Sequence, residues 1–146
     1  IQDIPTFYAQ IGAEYDYTHR DAERRGYISH DAEITAPNSL LHKILGQAVI
    51  TGTPSWHHQA IGALDTTDAV ATATTTSQGV EIIEALEIPD KRFILGVQFH
   101  PERMCFSQKR ADTVNGAKIF EYFIENAHIS SLICSTKLRN CLRCWR

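Results

Sequence analysis

Arg92-Phe93-Ile94-Leu95-Gly96-Val97-Gln98-Phe99-His100-Pro101-Glu102 is the stretch whose reading decides the fold. Phe93 to Phe99 is a short apolar, partly β-branched run bounded by Pro89-Asp90-Lys91 and by Pro101, and it reads as a buried strand. In an open α/β sheet, ligands bind beyond the carboxyl ends of the strands, and this end carries an imidazole and a carboxylate. Pro101 fixes its own φ and biases His100 towards extended backbone, so His100 and Glu102 can project to the same side. Glu102 then accepts from one ring nitrogen and leaves the other free as a general base, the base-plus-orienter half of a catalytic triad. On local grounds alone a polar turn after a strand explains the same residues, because His-x-Glu is a short pattern.

Outward from this strand the pattern is mixed. Asp112 to Ala127 reads as an amphipathic helix, with Gly116, Ala117, Phe120, Phe123, Ile124 and Ala127 on one face and Lys118, Glu121, Glu125 and Asn126 on the other. Upstream, Val70 to Thr76 has strong strand propensity, Ser77-Gln78-Gly79 supplies a turn, and Val80 to Leu86 returns as the second arm of a hairpin. Glu84 on that arm reads as a solvated or cross-strand-paired carboxylate. Tyr27 to Thr35 alternates as a half-buried strand should, placing His30 on the apolar side as a core histidine with a satisfied ring nitrogen. Pro37-Asn38-Ser39 caps a short helix through Leu45 that Gly46 stops, and Gln47 to Thr51 is a further strand. Thr6 to Gly26 reads as a long surface connection.

Two groups of residues raise the question of a metal. Ser55-Trp56-His57-His58-Gln59 ends a Gly/Pro-containing loop, but adjacent histidines point in different directions and cannot easily serve one ion. Cys134, Cys141 and Cys144 would need a fourth ligand, for which His128 is the only neighbour. The expectation is therefore no metal and no cofactor, with His57 and Gln59 forming a polar wall for a small ligand.

Composition bounds the rest. The 146 residues suit one domain, and 43% hydrophobic content, 21% charged content and a net charge of -3 describe an ordinary globular protein. Nothing in this balance points to nucleic acid. No apolar run reaches the length of a membrane span and no basic, then apolar, leader opens the chain, so a cytoplasmic location without a membrane partner is the expectation. Four cysteines are too few and too unevenly placed for a disulfide scaffold. Residues 130–146 carry Lys137, Arg139, Arg143 and Arg146 with no acid, which leaves the remainder at -7 and marks a basic, Cys-containing tail outside a domain of residues 1–129. The start at Ile1, with Met104 as the only methionine, reads as that of a fragment.

The segments Ser55-Trp56-His57-His58-Gln59-Ala60-Ile61, Glu84-Ala85 and Leu95-Gly96-Val97-Gln98-Phe99-His100-Pro101-Glu102, in this order and spacing, resemble the gamma-glutamyl-gamma-aminobutyrate hydrolase branch of the class I glutamine amidotransferase-like superfamily. The resemblance covers about residues 1–128 and implies an α/β fold, the carboxyl-terminal part of a flavodoxin-like three-layer domain with a β-hairpin, a central strand and a closing helix. It implies a cysteine hydrolase of γ-glutamyl amide bonds, linked to polyamine catabolism, with His100 and Glu102 as two members of a Cys-His-Glu triad and His57 and Gln59 near the substrate. It implies a small-molecule γ-glutamyl substrate and allows a homo-oligomer. The family's Gly-x-Cys-x-Gly elbow has no counterpart here: Cys105 lacks flanking glycines and the other cysteines lie in the tail. The chain as given is therefore expected to be inactive, and the alternative is a non-catalytic half-domain that binds γ-glutamyl ligands or is completed by a partner.

Overall fold

The hairpin forms where its sequence predicts. In the computed structural model, which describes residues 1–23, 25–65, 68–89, 91, 93–105 and 115–127, β3 (Val70–Ser77) and β4 (Val80–Glu87) pair antiparallel from Val70↔Glu87 to Ser77↔Val80. Ser77 ends β3 rather than joining the turn. Gln78 and Gly79 alone make the connection, with φ of 50° and 76°, the doubly positive backbone of a two-residue type I′ turn.

This hairpin is the middle of a five-stranded sheet in the order β2-β1-β3-β4-β5, every pairing antiparallel. β1 (Ile28–Ile34) and β2 (Val49–Ser55) lie on one side. β2 runs further than the expected Gln47 to Thr51, past a register shift opposite Asp31. Gly52, at φ 70°, takes up that irregularity and its N–H donates to Asp31 Oδ1 at 2.8 Å. Pro54 is tolerated because β2 is an edge strand and needs no ladder donor there. β5 (Leu95–Val97) is shorter than the expected Phe93 to Phe99 and pairs only with β4. Since it is antiparallel to its neighbour, the position of His100 follows from the turn after β5 and not from a parallel-sheet crevice.

Among the described residues four helices pack on this sheet. α1 (Ile4–Gln10) corrects the reading of Thr6 to Gly26 as surface connection. Asp3 caps it by accepting from Thr6 N at 3.0 Å, Pro5 sits in its first turn, and Ile4 and Tyr8, one turn apart, are fully buried. α2 (Leu40–Leu45) starts at Ser39, whose hydroxyl accepts from His42 N at 3.1 Å, and stops at Gly46 in the left-handed region, as its sequence predicts. α3 (Pro101–Met104) is a single turn. α4 (Ala117–Asn126) starts later than expected: Asn115 and Gly116 are not helical, Asn115 Oδ1 accepts from Ala117 N at 2.9 Å, and Asp112 lies outside the described residues. The basic tail lies outside them too.

The core divides in two. Ala32, Leu41, Leu45, Ile50, Phe99, Met104 and Ile119 form the larger cluster beneath α2, α3 and α4. Ile4, Tyr8, Val80 and Ile82 form the smaller one beneath α1. Helices therefore flank the sheet as the layered α/β arrangement requires. Among the described residues no helix is long and apolar enough to cross a membrane.

Candidate active site

The turn after β5 is fixed by its backbone. Gln98 N donates to Glu84 O at 2.8 Å, Phe99 is buried in the larger core, and His100 N donates to Pro54 O at 3.0 Å. Pro101 then opens α3, which puts Glu102 in its first turn. As a result His100 Nδ1 and Glu102 Oε1 meet at 2.7 Å. Both side chains remain about a third or more exposed, 35% and 41%, so the imidazole is held by a carboxylate while still reachable from outside. The Tyr27 ring stands edge-on to His100 with centroids 4.8 Å apart, and the Arg103 guanidinium lies over the Tyr27 ring at 4.3 Å.

Cys105 is the nearest thiol in the described chain, and its chemistry is wrong for a nucleophile. Its Sγ donates to Pro101 O at 3.4 Å. Burial, and then the Glu102 and Glu121 carboxylates, push the thiol above its usual value, so it stays protonated.

His57 and Gln59 border an open depression of about 580 Å³ shared with Gln2, Trp56, His58 and Gln98. The Gln59 carboxamide donates to Gln2 Oε1 at 3.2 Å. The His57 ring turns away from the depression: Nδ1 meets Gln59 O at 2.8 Å, Nε2 lies 3.6 Å from Glu84 Oε1, and the side chain is only 10% exposed. His58 points the other way, to Asp3 Oδ1 at 3.3 Å, so the divergence expected of adjacent histidines is present.

The largest surprise lies beneath that loop. Glu84, expected to be solvated or cross-strand paired, is fully buried. Alternation explains it, since Glu84 follows Val80 and Ile82 on the buried face of β4, and a bulge at Glu84, where β4 gains a residue over β3 between the Ala85↔Ala73 and Ile83↔Thr74 pairs, lets Ala85 be buried as well. Its carboxylate faces three imidazoles, with Oε1 at 3.1 Å from His19 Nδ1 and 3.6 Å from His30 Nε2 and from His57 Nε2. Burial pushes the Glu84 carboxyl up, but the His19 and His57 rings beside it outweigh this and hold it at about 2. Burial pulls His30 below its usual value despite the Glu84 charge. His30 is a core histidine as expected, but only Nδ1 has hydrogen-bond partners: Asp31 O at 3.2 Å, Thr53 Oγ1 at 3.2 Å and Thr75 Oγ1 at 3.0 Å.

His19 and Glu84 were invisible as a pair in the sequence. His19 sits in the connection after α1, where its carbonyl accepts from Ser55 Oγ at 2.8 Å and from His57 N at 3.1 Å. The one available signal was a charged residue in the middle of the apolar run Val80 to Leu86.

Comparison with known proteins places the chain. The peptidase C26 family matches residues 4–102. A provisionally named glutamine amidotransferase of Mycobacterium tuberculosis is 36% identical over 69 residues, covering 47% of this chain and 20% of that protein. A provisionally named glutamine amidotransferase-like protein of Rickettsia prowazekii is 32% identical over 84 residues, covering 58% and 28%. The glutaminase domain of Trypanosoma brucei CTPS, solved with bound acivicin, superposes with a TM-score of 0.58 at 22% identity, over 79% of this chain and 45% of that one. That likeness agrees with the mixed α/β fold of part of such a domain. The chain spans less than a third of the length of these two curated relatives. With residues 4–102 inside the family's match, the chain belongs to the peptidase C26 family of glutamine amidotransferase-like proteins.

Proposed function

We propose that these residues are the carboxyl-terminal part of a hydrolase of γ-glutamyl amide bonds of the gamma-glutamyl-gamma-aminobutyrate hydrolase kind, in which His100 is the general base and Glu102 orients it. The observation that carries this reading is the 2.7 Å contact between His100 Nδ1 and Glu102 Oε1 at an accessible turn. Since a carboxylate only accepts, Nδ1 carries the proton and Nε2 is the basic nitrogen. In the proposed reaction a cysteine thiol from an elbow outside these 146 residues gives its proton to His100 Nε2 and attacks the γ-carbonyl carbon. The carbon–nitrogen bond breaks as His100 protonates the departing amine, leaving a γ-glutamyl thioester. Water then gives a proton to His100, attacks the thioester and releases glutamate and the thiol. Gln59 offers a carboxamide to the amino-acid end of the substrate, and His57 sets its position through the Gln59 carbonyl.

The test is a polypeptide extended upstream through a Gly-x-Cys-x-Gly elbow and assayed for glutamate release from a γ-glutamyl amine. It should be active, the 146-residue chain alone silent, and His100→Asn should lower kcat by about 10²–10⁴-fold. Undiminished activity in His100→Asn would refute the role given to it.

A second reading is a non-catalytic half-domain that binds γ-glutamyl ligands or is completed by a partner. An open apolar groove of about 520 Å³ between β5 and α4, lined by Phe93, Leu95, Ile119, Phe120 and Phe123 among others, favours it. Calorimetric titration of the 146-residue chain with a γ-glutamyl amine separates the two: saturable heat supports the half-domain as a binder, and silence counts against that.

A further inference from the structure

We infer that His19, His30, His57 and Glu84 form a buried site for one divalent transition-metal ion, zinc by the nature of the ligands. The ligating atoms are His19 Nδ1, His30 Nε2, His57 Nε2 and Glu84 Oε1, which all lie within 4.8 Å of one another. His19 and Glu84 are fully buried, His30 is 9% exposed and the His57 side chain 10%.

The first argument is from tautomers. His57 Nδ1 faces the Gln59 carbonyl at 2.8 Å, and a carbonyl only accepts, so Nδ1 bears the proton. His30 Nδ1 faces the Asp31 carbonyl and the hydroxyls of Thr53 and Thr75. Those hydroxyls donate elsewhere, Thr53 to His30 O at 2.6 Å and Thr75 to Asp31 O at 2.8 Å, so they too can only accept from the ring. In both neutral rings the lone pair therefore sits on Nε2 and points at a carboxylate oxygen 3.6 Å away. A proton on either ring, as in the contacts that hold the Glu84 carboxyl down, relieves only one of the two nitrogens. A cation between them satisfies both, together with His19 and Glu84. Donation of the second ring nitrogen to a backbone carbonyl is the usual support of a metal-bound histidine.

The second argument is from unmet bonding. Among the described residues, His19 Nδ1 and Nε2, His30 Nε2, His57 Nε2 and both Glu84 oxygens are buried with no hydrogen bond, His19 Nδ1 and Glu84 Oε1 meeting only as a 3.1 Å ion-pair contact. Leaving such groups unpaired costs about 1–3 kcal/mol each, more for a charged one, so their convergence needs a compensating ligand.

The third is from distance. Metal–nitrogen bonds of about 2.0–2.1 Å in a tetrahedron set neighbouring ligand atoms about 3.3–3.4 Å apart. The Glu84 oxygen lies 3.1, 3.6 and 3.6 Å from the three nitrogens, which brackets that value, while the four atoms lie within 4.8 Å of one another, so the imidazoles draw closer together around an ion. Four protein ligands leave no open position, so the ion would be structural. It would tie the connection after α1, β1, the loop after β2 and β4 together, directly behind the Glu84 carbonyl that holds Gln98.

The test uses the untagged 146-residue chain purified without chelators. Elemental analysis should find about one zinc per chain, and X-ray absorption at the zinc edge should show a nitrogen and oxygen shell with imidazole scattering and no sulfur. This measurement requires no variant to fold. Glu84→Gln and His30→Gln should weaken zinc binding by at least about 100-fold, beyond the 10–100-fold typical of outer-shell losses. His58→Ala and a triple Cys134→Ser, Cys141→Ser, Cys144→Ser variant should keep the full complement. Substoichiometric zinc in a chain that takes up none on addition, a sulfur shell, or undiminished binding in Glu84→Gln would each overturn the site.

Discussion

Replacing Gly116 by alanine tests how α4 is seated against the turn that carries His100 and Glu102. Gly116 has φ -63° and ψ -19°, a backbone any residue adopts, so relief of chain flexibility alone would make Gly116→Ala stabilising by about 0.4–1 kcal/mol. The structure reverses that sign. A Cβ built at Gly116 falls 2.3 Å from Pro101 O, 2.8 Å from Met104 Cβ and 3.1 Å from Pro101 C. Two of these three neighbours are backbone atoms that cannot rotate aside, so α4 or α3 must shift, at the cost of about 1–3 kcal/mol usual for overpacking. In a chain of 146 residues each 1 kcal/mol moves Tm by about 2–4 °C, so a loss of roughly 2–12 °C is expected by calorimetry. Because Pro101 lies between His100 and Glu102, the same substitution should lower glutamate release in the extended protein. An unchanged or raised Tm would refute the close approach of α4 to α3.

Three further outcomes follow from the fold. Gly79→Ala places a side chain at φ 76° and should cost about 1–2 kcal/mol in urea denaturation; an unchanged midpoint would rule out the type I′ turn. Ile50→Ala empties a fully buried position of the larger core and should cost about 2–5 kcal/mol, whereas a loss below that range would mean the site collapses or is not core. Asp16 gives a pH signature: burial pulls its carboxyl up, but hydrogen bonds from Ser77 Oγ and from the Thr18 hydroxyl and amide outweigh this and set it below the ordinary aspartate value. A depressed carboxyl stabilises the fold above its unfolded pKa and loses that contribution as pH falls through the folded one. The stability gap between the protein and Asp16→Asn should therefore shrink on acidification below the ordinary carboxylate range, and a gap that stays constant or widens would contradict the assignment.

What the sequence made legible was local. The hairpin, the Ser39 to Gly46 helix and the His100–Glu102 pair each depend on residues within a few positions of one another, where propensity, caps and a proline settle the geometry. α1 was missed although Asp3, Pro5 and the Ile4–Tyr8 spacing were its signals, because the polar, charged stretch after Gly12 dominated the reading of the whole segment. The buried cluster was legible only in fragments, His30 on the apolar side of its strand and a carboxylate within the apolar run Val80 to Leu86. Its members come from residues 19, 30, 57 and 84, and alternation along β4 puts Glu84 on the buried face of Val80 and Ile82 without showing what it meets there. A histidine pair set aside because His57 and His58 diverge proved to contribute one member to a different group, whose partners are distant in the chain.

The account stands most directly on the state of one imidazole. Long-range proton–nitrogen correlation spectra of the 146-residue chain report which nitrogen of His100 bears the proton in its neutral form. The account predicts Nδ1–H hydrogen-bonded to Glu102 with Nε2 unprotonated, and loss of that signature in Glu102→Ala. A dominant Nε2–H tautomer, or a His100 spectrum indifferent to Glu102→Ala, would contradict it.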